Sequence, residues 1–159
     1  MSSTTTTTTV EIIREINAPV ERLYAAWTDL ELARKWWGPE NTLTHELMID
    51  PRVDGKFRWS LSSPDGEKMT ALGVYSEVSA GEKIAFTWHW ADDPEWETRE
   101  SLVTVEFHPE GTAITELRLT HENLPNEKSR DNHTAGWNSA LDKLERLLTA
   151  EVSEPQPAQ

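Results

Sequence analysis

Cysteine is missing from this 159-residue chain, and with it go disulfides, thiolate catalysis and cysteine-based zinc sites. No apolar run approaches the roughly 20 residues that span a bilayer, so membrane insertion is not expected. The opening MSSTTTTTTV has no basic residue followed by an apolar stretch. It does not read as a secretory signal, and the expectation is a cytoplasmic protein. Positive charge is scarce too: 15 Lys and Arg against 28 Asp and Glu leave a formal net charge of −13. A surface that acidic repels phosphate backbones and anionic membranes, so nucleic acid is not an expected partner.

Signatures of catalysis are equally thin. There is no Gly-x-Ser-x-Gly, and both Gly-Glu-Lys triplets sit in hairpin turns rather than phosphate-binding loops. The five histidines, His45, His89, His108, His121 and His133, show no metal-ligand spacing. No metal and no cofactor is expected.

Tryptophan, by contrast, is abundant, with eight against three Phe and two Tyr. Two of them are adjacent in ARKWWGPEN, residues 33–41. Neighbouring residues cannot share a helix face. Either the pair closes a core from two directions, or one ring is kept for a bound molecule.

The chain is the size of one domain. Residues 1–9 are Thr-rich and expected to be disordered or partly extended, 10–150 form the domain, and 151–159, Pro- and Gln-rich, are expected to be a disordered tail. VEIIREI (10–16) alternates as a strand. NAPVERLYAAWTDL predicts a helix capped by Asn17 or Ala18 with Pro19 in its first turn. A second short helix follows, with Thr28 and Glu31 at capping-box spacing and Gly38-Pro39 as its stop. From Leu43 to His121 six period-two segments alternate with turns, which predicts an antiparallel meander with one apolar face. Gly73 within them suggests a bulge or the close approach of another group. From Asn126 to about Ala150, His133, Trp137, Ala140, Leu141, Leu144 and Leu148 recur at helical spacing and supply a cover for that face. Gly136 is expected to permit a close approach.

This order, with APVERLYAAWTDLELARKWWGP, DPRVDGKFRWSL, GVYSEV, KIAFTW and GWNSALDKLERLL in register, resembles the START-like (SRPBCC) superfamily. Within it the chain is similar to the domain homologous to the activator of heat-shock-protein-90 ATPase, over about Val10 to Leu148. The resemblance implies an α+β helix-grip fold, β-α-α-β6-α, with a curved antiparallel sheet around a long C-terminal helix. It also implies a cavity between sheet and helix for a hydrophobic or aromatic small molecule. Fold transfers across such a family more readily than activity.

The expected cavity residues are Trp37, Phe57, Trp59, Tyr75, Phe86, Trp88, Val103, Leu119, His121, His133 and Trp137, with Trp90 a further aromatic candidate. A noncatalytic binding domain is the leading expectation. A cyclase- or dehydratase-like enzyme using His121, His133 or Glu77 as acid/base is the alternative. Each of these has a plainer reading, a histidine satisfied by its neighbours or, for Glu77, a salt bridge. A chaperone-binding role is the least expected, because the full activator has a second domain and this chain is uniformly acidic. A monomer or weak homodimer is anticipated.

Overall fold

A computed structural model describes residues 8–91, 93–96 and 100–153. Strand β1 (Val10–Ile16) buries Val10, Ile12 and Ile16 and leaves Ile13 in solvent, as its alternation requires. The inward phase also contains Arg14. It reaches the C-terminal helix, where its guanidinium lies 2.8 Å from Glu145, 2.9 Å from Asp142 and 2.9 Å from the Asn138 side chain.

Helix α1 (Val20–Thr28) buries Leu23, Ala26 and Trp27. Its cap is Pro19 rather than the expected Asn17 or Ala18, so it starts one or two residues later than its sequence suggests, with no side-chain cap. Helix α2 is one turn long (Leu30–Ala33). The Thr28–Glu31 capping box does not form, because α1 runs through Thr28 and keeps that residue helical. Thr28 Oγ1 donates instead to the Tyr24 carbonyl at 2.9 Å, and the extended Asp29 between the helices accepts from the Glu31 amide at 2.9 Å. Asp29 is therefore the cap.

Six further strands follow: β2 (Leu43–Ile49), β3 (Lys56–Ser62), β4 (Lys68–Ser79), β5 (Lys83–Trp90), β6 (Ser101–Glu110) and β7 (Ile114–Glu122). They pair in sequence as an antiparallel meander, and β1 adds beside β7, from Val10 opposite His121 to Ile16 opposite Thr115. The result is one curved seven-stranded sheet with β1 and β2 at its edges. Register shifts in β2 (Thr44/Glu46) and β4 (Tyr75/Glu77) bend it. Gly73 in β4 is needed for a close approach, since a Cβ there would collide with the Thr87 carbonyl of β5.

Helix α3 (Glu127–Ser153) covers the concave face. Asn126 caps it, accepting from the Ser129 amide at 2.8 Å. Trp137, Ala140, Leu141, Leu144 and Leu148 are buried. The helix continues to Ser153, past the expected boundary at 150, while residues 1–7 and 154–159 lie outside the described residues. Architecture and element order are those of the helix-grip fold.

Candidate ligand-binding site

The eight tryptophans divide into two groups. Trp27 and Trp36 close the core beneath the short helices, their rings 4.7 Å apart, with Trp36 Nε1 donating to the Ala26 carbonyl at 2.9 Å. The other six, Trp37, Trp59, Trp88, Trp90, Trp96 and Trp137, line a cavity of about 700 Å³. Its walls are the ends of β3, β4 and β5, the Gly38–Pro39 turn after α2, and the N-terminal half of α3. The exposed residues Glu67, Lys68 and Lys128 belong to its lining, so it opens to solvent.

The Trp36-Trp37 doublet is thereby explained. One ring packs inward, and the other, 5.1 Å from it, turns to the cavity. Gly38 makes the turn possible. Its φ is +90°, and a Cβ there would stand 2.7 Å from the Trp59 ring.

Of the expected cavity residues, Trp37, Trp59, Trp88, His133 and Trp137 come together in the lining. Phe57, Tyr75, Phe86, Val103, Leu119 and His121 do not; they are buried in the core behind it. Strand alternation puts Trp59 and Trp88 on the same concave face as Phe57, Tyr75, Phe86, Val103, Leu119 and His121, and only the position along each strand separates cavity wall from core. Burial pushes the Tyr75 hydroxyl well above the usual phenol range. Trp96 joins the lining although it is not among the expected cavity residues. It lies in an acidic connection, yet a 3-10 turn at Pro94–Trp96 buries it with its ring 5.8 Å from His133. Gly136 also belongs to the lining, where its missing side chain leaves room.

Two Trp–His hydrogen bonds organise the wall. Trp137 Nε1 donates to His121 Nδ1 at 3.1 Å. An indole N–H only donates, so the His121 proton sits on Nε2, facing Ser101 Oγ at 2.7 Å. Ser101 Oγ donates in turn to the Trp88 carbonyl at 2.7 Å. His133 has the opposite tautomer: Trp90 Nε1 donates to its Nε2 at 3.0 Å, and its Nδ1–H points to the Ser129 carbonyl at 2.7 Å. Burial, with His133 nearby, holds His121 well below the usual imidazole range. Burial also lowers His133, partly offset by its bond to Ser129. Both rings are neutral near pH 7, with each nitrogen engaged. Glu77 is exposed on β4, with Lys83 at 3.3 Å. Among the described residues no cluster of three or more His, Asp or Glu side chains is arranged to hold a metal, and no helix is long and apolar enough to cross a membrane.

Residues 17–149 match the family model for activator of Hsp90 ATPase homolog 1-like protein. Among solved structures, the AHSA1 protein of Silicibacter pomeroyi is 27% identical, with a TM-score of 0.79 over 90% of this chain and 99% of that one. A protein of Chromobacterium violaceum is 26% identical, with a TM-score of 0.77 over 93% and 99%. An HSP90 activator from Plasmodium falciparum is 29% identical, with a TM-score of 0.67 over 89% and 96%. No curated protein has a matching sequence. A curved sheet gripping a terminal helix, matched in sequence from the first short helix almost to the end of the last, means that this chain belongs to the activator of Hsp90 ATPase homolog 1-like family.

Proposed function

We propose that the protein binds a small apolar or aromatic molecule in the cleft between its sheet and the N-terminal half of α3. The observation that carries this reading is a space of about 700 Å³ edged by six tryptophans and open to solvent. A volume in that range suits a drug-sized guest, and a mostly apolar wall with a few polar groups is the usual composition of such sites. Rings this large favour burial against one another by about 2–3 kcal/mol each. A chain that only needed a core would gain by closing the gap.

The occupied nitrogens of His121 and His133 support binding over acid/base chemistry, since neither has a proton or lone pair to offer a guest. Glu77 is not part of the cavity lining. The test is native mass spectrometry of freshly purified protein, with tryptophan fluorescence during titration with fatty acids, flavonoids and polycyclic aromatics. Saturable quenching or a co-purified mass supports the proposal. A flat response across the panel with no co-purified mass overturns it.

A second reading draws on the Plasmodium falciparum HSP90 activator, which is alike over most of both chains. In that reading this protein acts on a chaperone through its surface. Stimulation of a chaperone ATPase by the purified protein, undiminished when the cavity is filled by mutation, would favour it over the binding proposal.

A further inference from the structure

We propose that β2, one of the two open edges of the sheet, is a self-association surface. Two copies of this chain pair there as antiparallel strands about a two-fold axis between His45 and Glu46. In this register Leu43 lies opposite Met48 of the second copy, Thr44 opposite its Leu47, and His45 opposite its Glu46.

The strand's own pattern singles out that register. β2 stands at the end of the sheet with β3 on one side, so its other side offers backbone for a further strand. Its inward positions are Thr44, which accepts from the Trp59 indole at 3.0 Å, and Leu47, 3% exposed. Leu43, His45, Glu46 and Met48 face solvent. The doubled exposure at His45-Glu46 comes from the bulge between Thr44 and Glu46. From Leu43 to Met48 the faces therefore read exposed, inward, exposed, exposed, inward, exposed, which is a palindrome. Residues directly opposite in an antiparallel pair share a face, and about the His45–Glu46 centre every pair does. A shift of one residue either way sets the buried Leu47 against the exposed Leu43 or His45. A bulge ordinarily spoils an edge for pairing. Here the two-fold sets one bulge against the other.

Charge and apolar surface agree with it. His45 meets Glu46 of the second copy twice, once on each side of the axis. Its Nε2 is held by Ser62 Oγ at 2.6 Å, which leaves Nδ1 to reach across. Residues 43–62 hold three acids, Glu46, Asp50 and Asp54, and three bases, Arg52, Lys56 and Arg58. This hairpin is formally neutral while the charge of −13 lies elsewhere, so two copies approach here with the least repulsion. Of the five large hydrophobic side chains exposed among the described residues, Leu43 (62%), Met48 (53%) and Val53 (56%) lie on or just after β2. The pairing covers Leu43 and Met48 of both copies. β1, the other edge, is guarded. Glu11 and Glu15 flank its exposed Ile13, and a two-fold about Ile13 would set Glu11 against Glu15 of the second copy.

A strand-to-strand contact is small, so a dissociation constant on the order of 10–100 μM is expected, read by sedimentation equilibrium of the full chain across that range. Leu43→Lys should weaken the dimer about tenfold or more, and Ile13→Lys should leave it unchanged. His45→Glu should weaken it about tenfold. Adding Glu46→Lys, which restores opposite charges across the axis, should recover it. Because the chain has no cysteine, cross-linking reads the register directly. Leu43→Cys/Met48→Cys should form disulfide dimers under dipyridyl disulfide. Neither single variant should, since each position stands about 15 Å from its own counterpart across the axis. A monomer throughout that range, a dimer indifferent to Leu43→Lys, or single cysteine variants that cross-link as readily as the pair overturns the inference. The cavity reading stands in each case.

Discussion

Trp137 and His121, on opposite layers of the fold, are joined by an indole-to-imidazole hydrogen bond of 3.1 Å. It ties the covering helix to the floor of the sheet and fixes which nitrogen of His121 carries the proton. Ser101 and the Trp88 carbonyl complete the chain, so a polar line runs through a mostly apolar core. Removing its centre should be expensive. His121→Ala leaves a void and two severed partners, and is expected to cost about 3 kcal/mol, read as a lowered urea midpoint.

The same two histidines predict a pH dependence. Both have folded-state values below the ordinary imidazole value of 6.5, so below that pH the unfolded chain binds more protons than the folded one. Stability is then unaffected by them above about pH 7 and falls as pH drops through 6.5 toward the folded values, by up to about 1.4 kcal/mol per pH unit for each histidine. Urea midpoints at pH 7.5 and 5.5 should differ less in His133→Gln than in the parent. An identical shift in both would remove His133 from the account.

Gly136 offers a cleaner probe of the cavity than any tryptophan. A Cβ there would meet only Pro39 Cγ, at an ordinary 3.5 Å, so the close approach expected from its sequence is not present. Gly136→Ala should raise stability by about 0.5–1 kcal/mol, because alanine is the better helix former. Gly136→Phe should occupy the space and abolish quenching by apolar ligands while preserving the far-ultraviolet circular dichroism.

Two other glycines are expected to resist substitution. Gly73→Ala drives a Cβ into the Thr87 carbonyl across the β4–β5 pair, and backbone cannot swing aside as a side chain can. Gly38→Ala combines a left-handed backbone with a collision against Trp59. Losses above about 2 kcal/mol are expected for each, Gly73→Ala the larger, by thermal or urea unfolding.

Arg14 clamps β1 to α3 through Asp142, Glu145 and Asn138, with its side chain 19% exposed. A networked, half-buried guanidinium is worth more than an exposed pair. Arg14→Met should cost about 1–2 kcal/mol, with the loss reduced at high salt. No salt effect would show that its stem, not its charge, matters.

The residues of the chain by themselves determined a great deal. Period-two alternation from Leu43 to His121 and helical spacing from His133 to Leu148 are local consequences of backbone geometry, and they dictated the order of elements and their buried faces. The doublet Trp36-Trp37 before Gly38-Pro39 likewise announced that two rings must part ways. The cavity depended on what no local pattern contains. Phe57, Phe86 and Leu119 share the inward phase with Trp59 and Trp88, yet only the latter pair line the cavity, because depth along a bent sheet follows from register shifts and from where α3 crosses it. Trp96 enters from a loop that has no periodicity to read. Arg14 is polar at an inward strand position, and its partners come from α3, far away in the chain. Which histidine nitrogen holds a proton follows from distances between residues far apart in the chain, and those exist only once sheet and helix have packed.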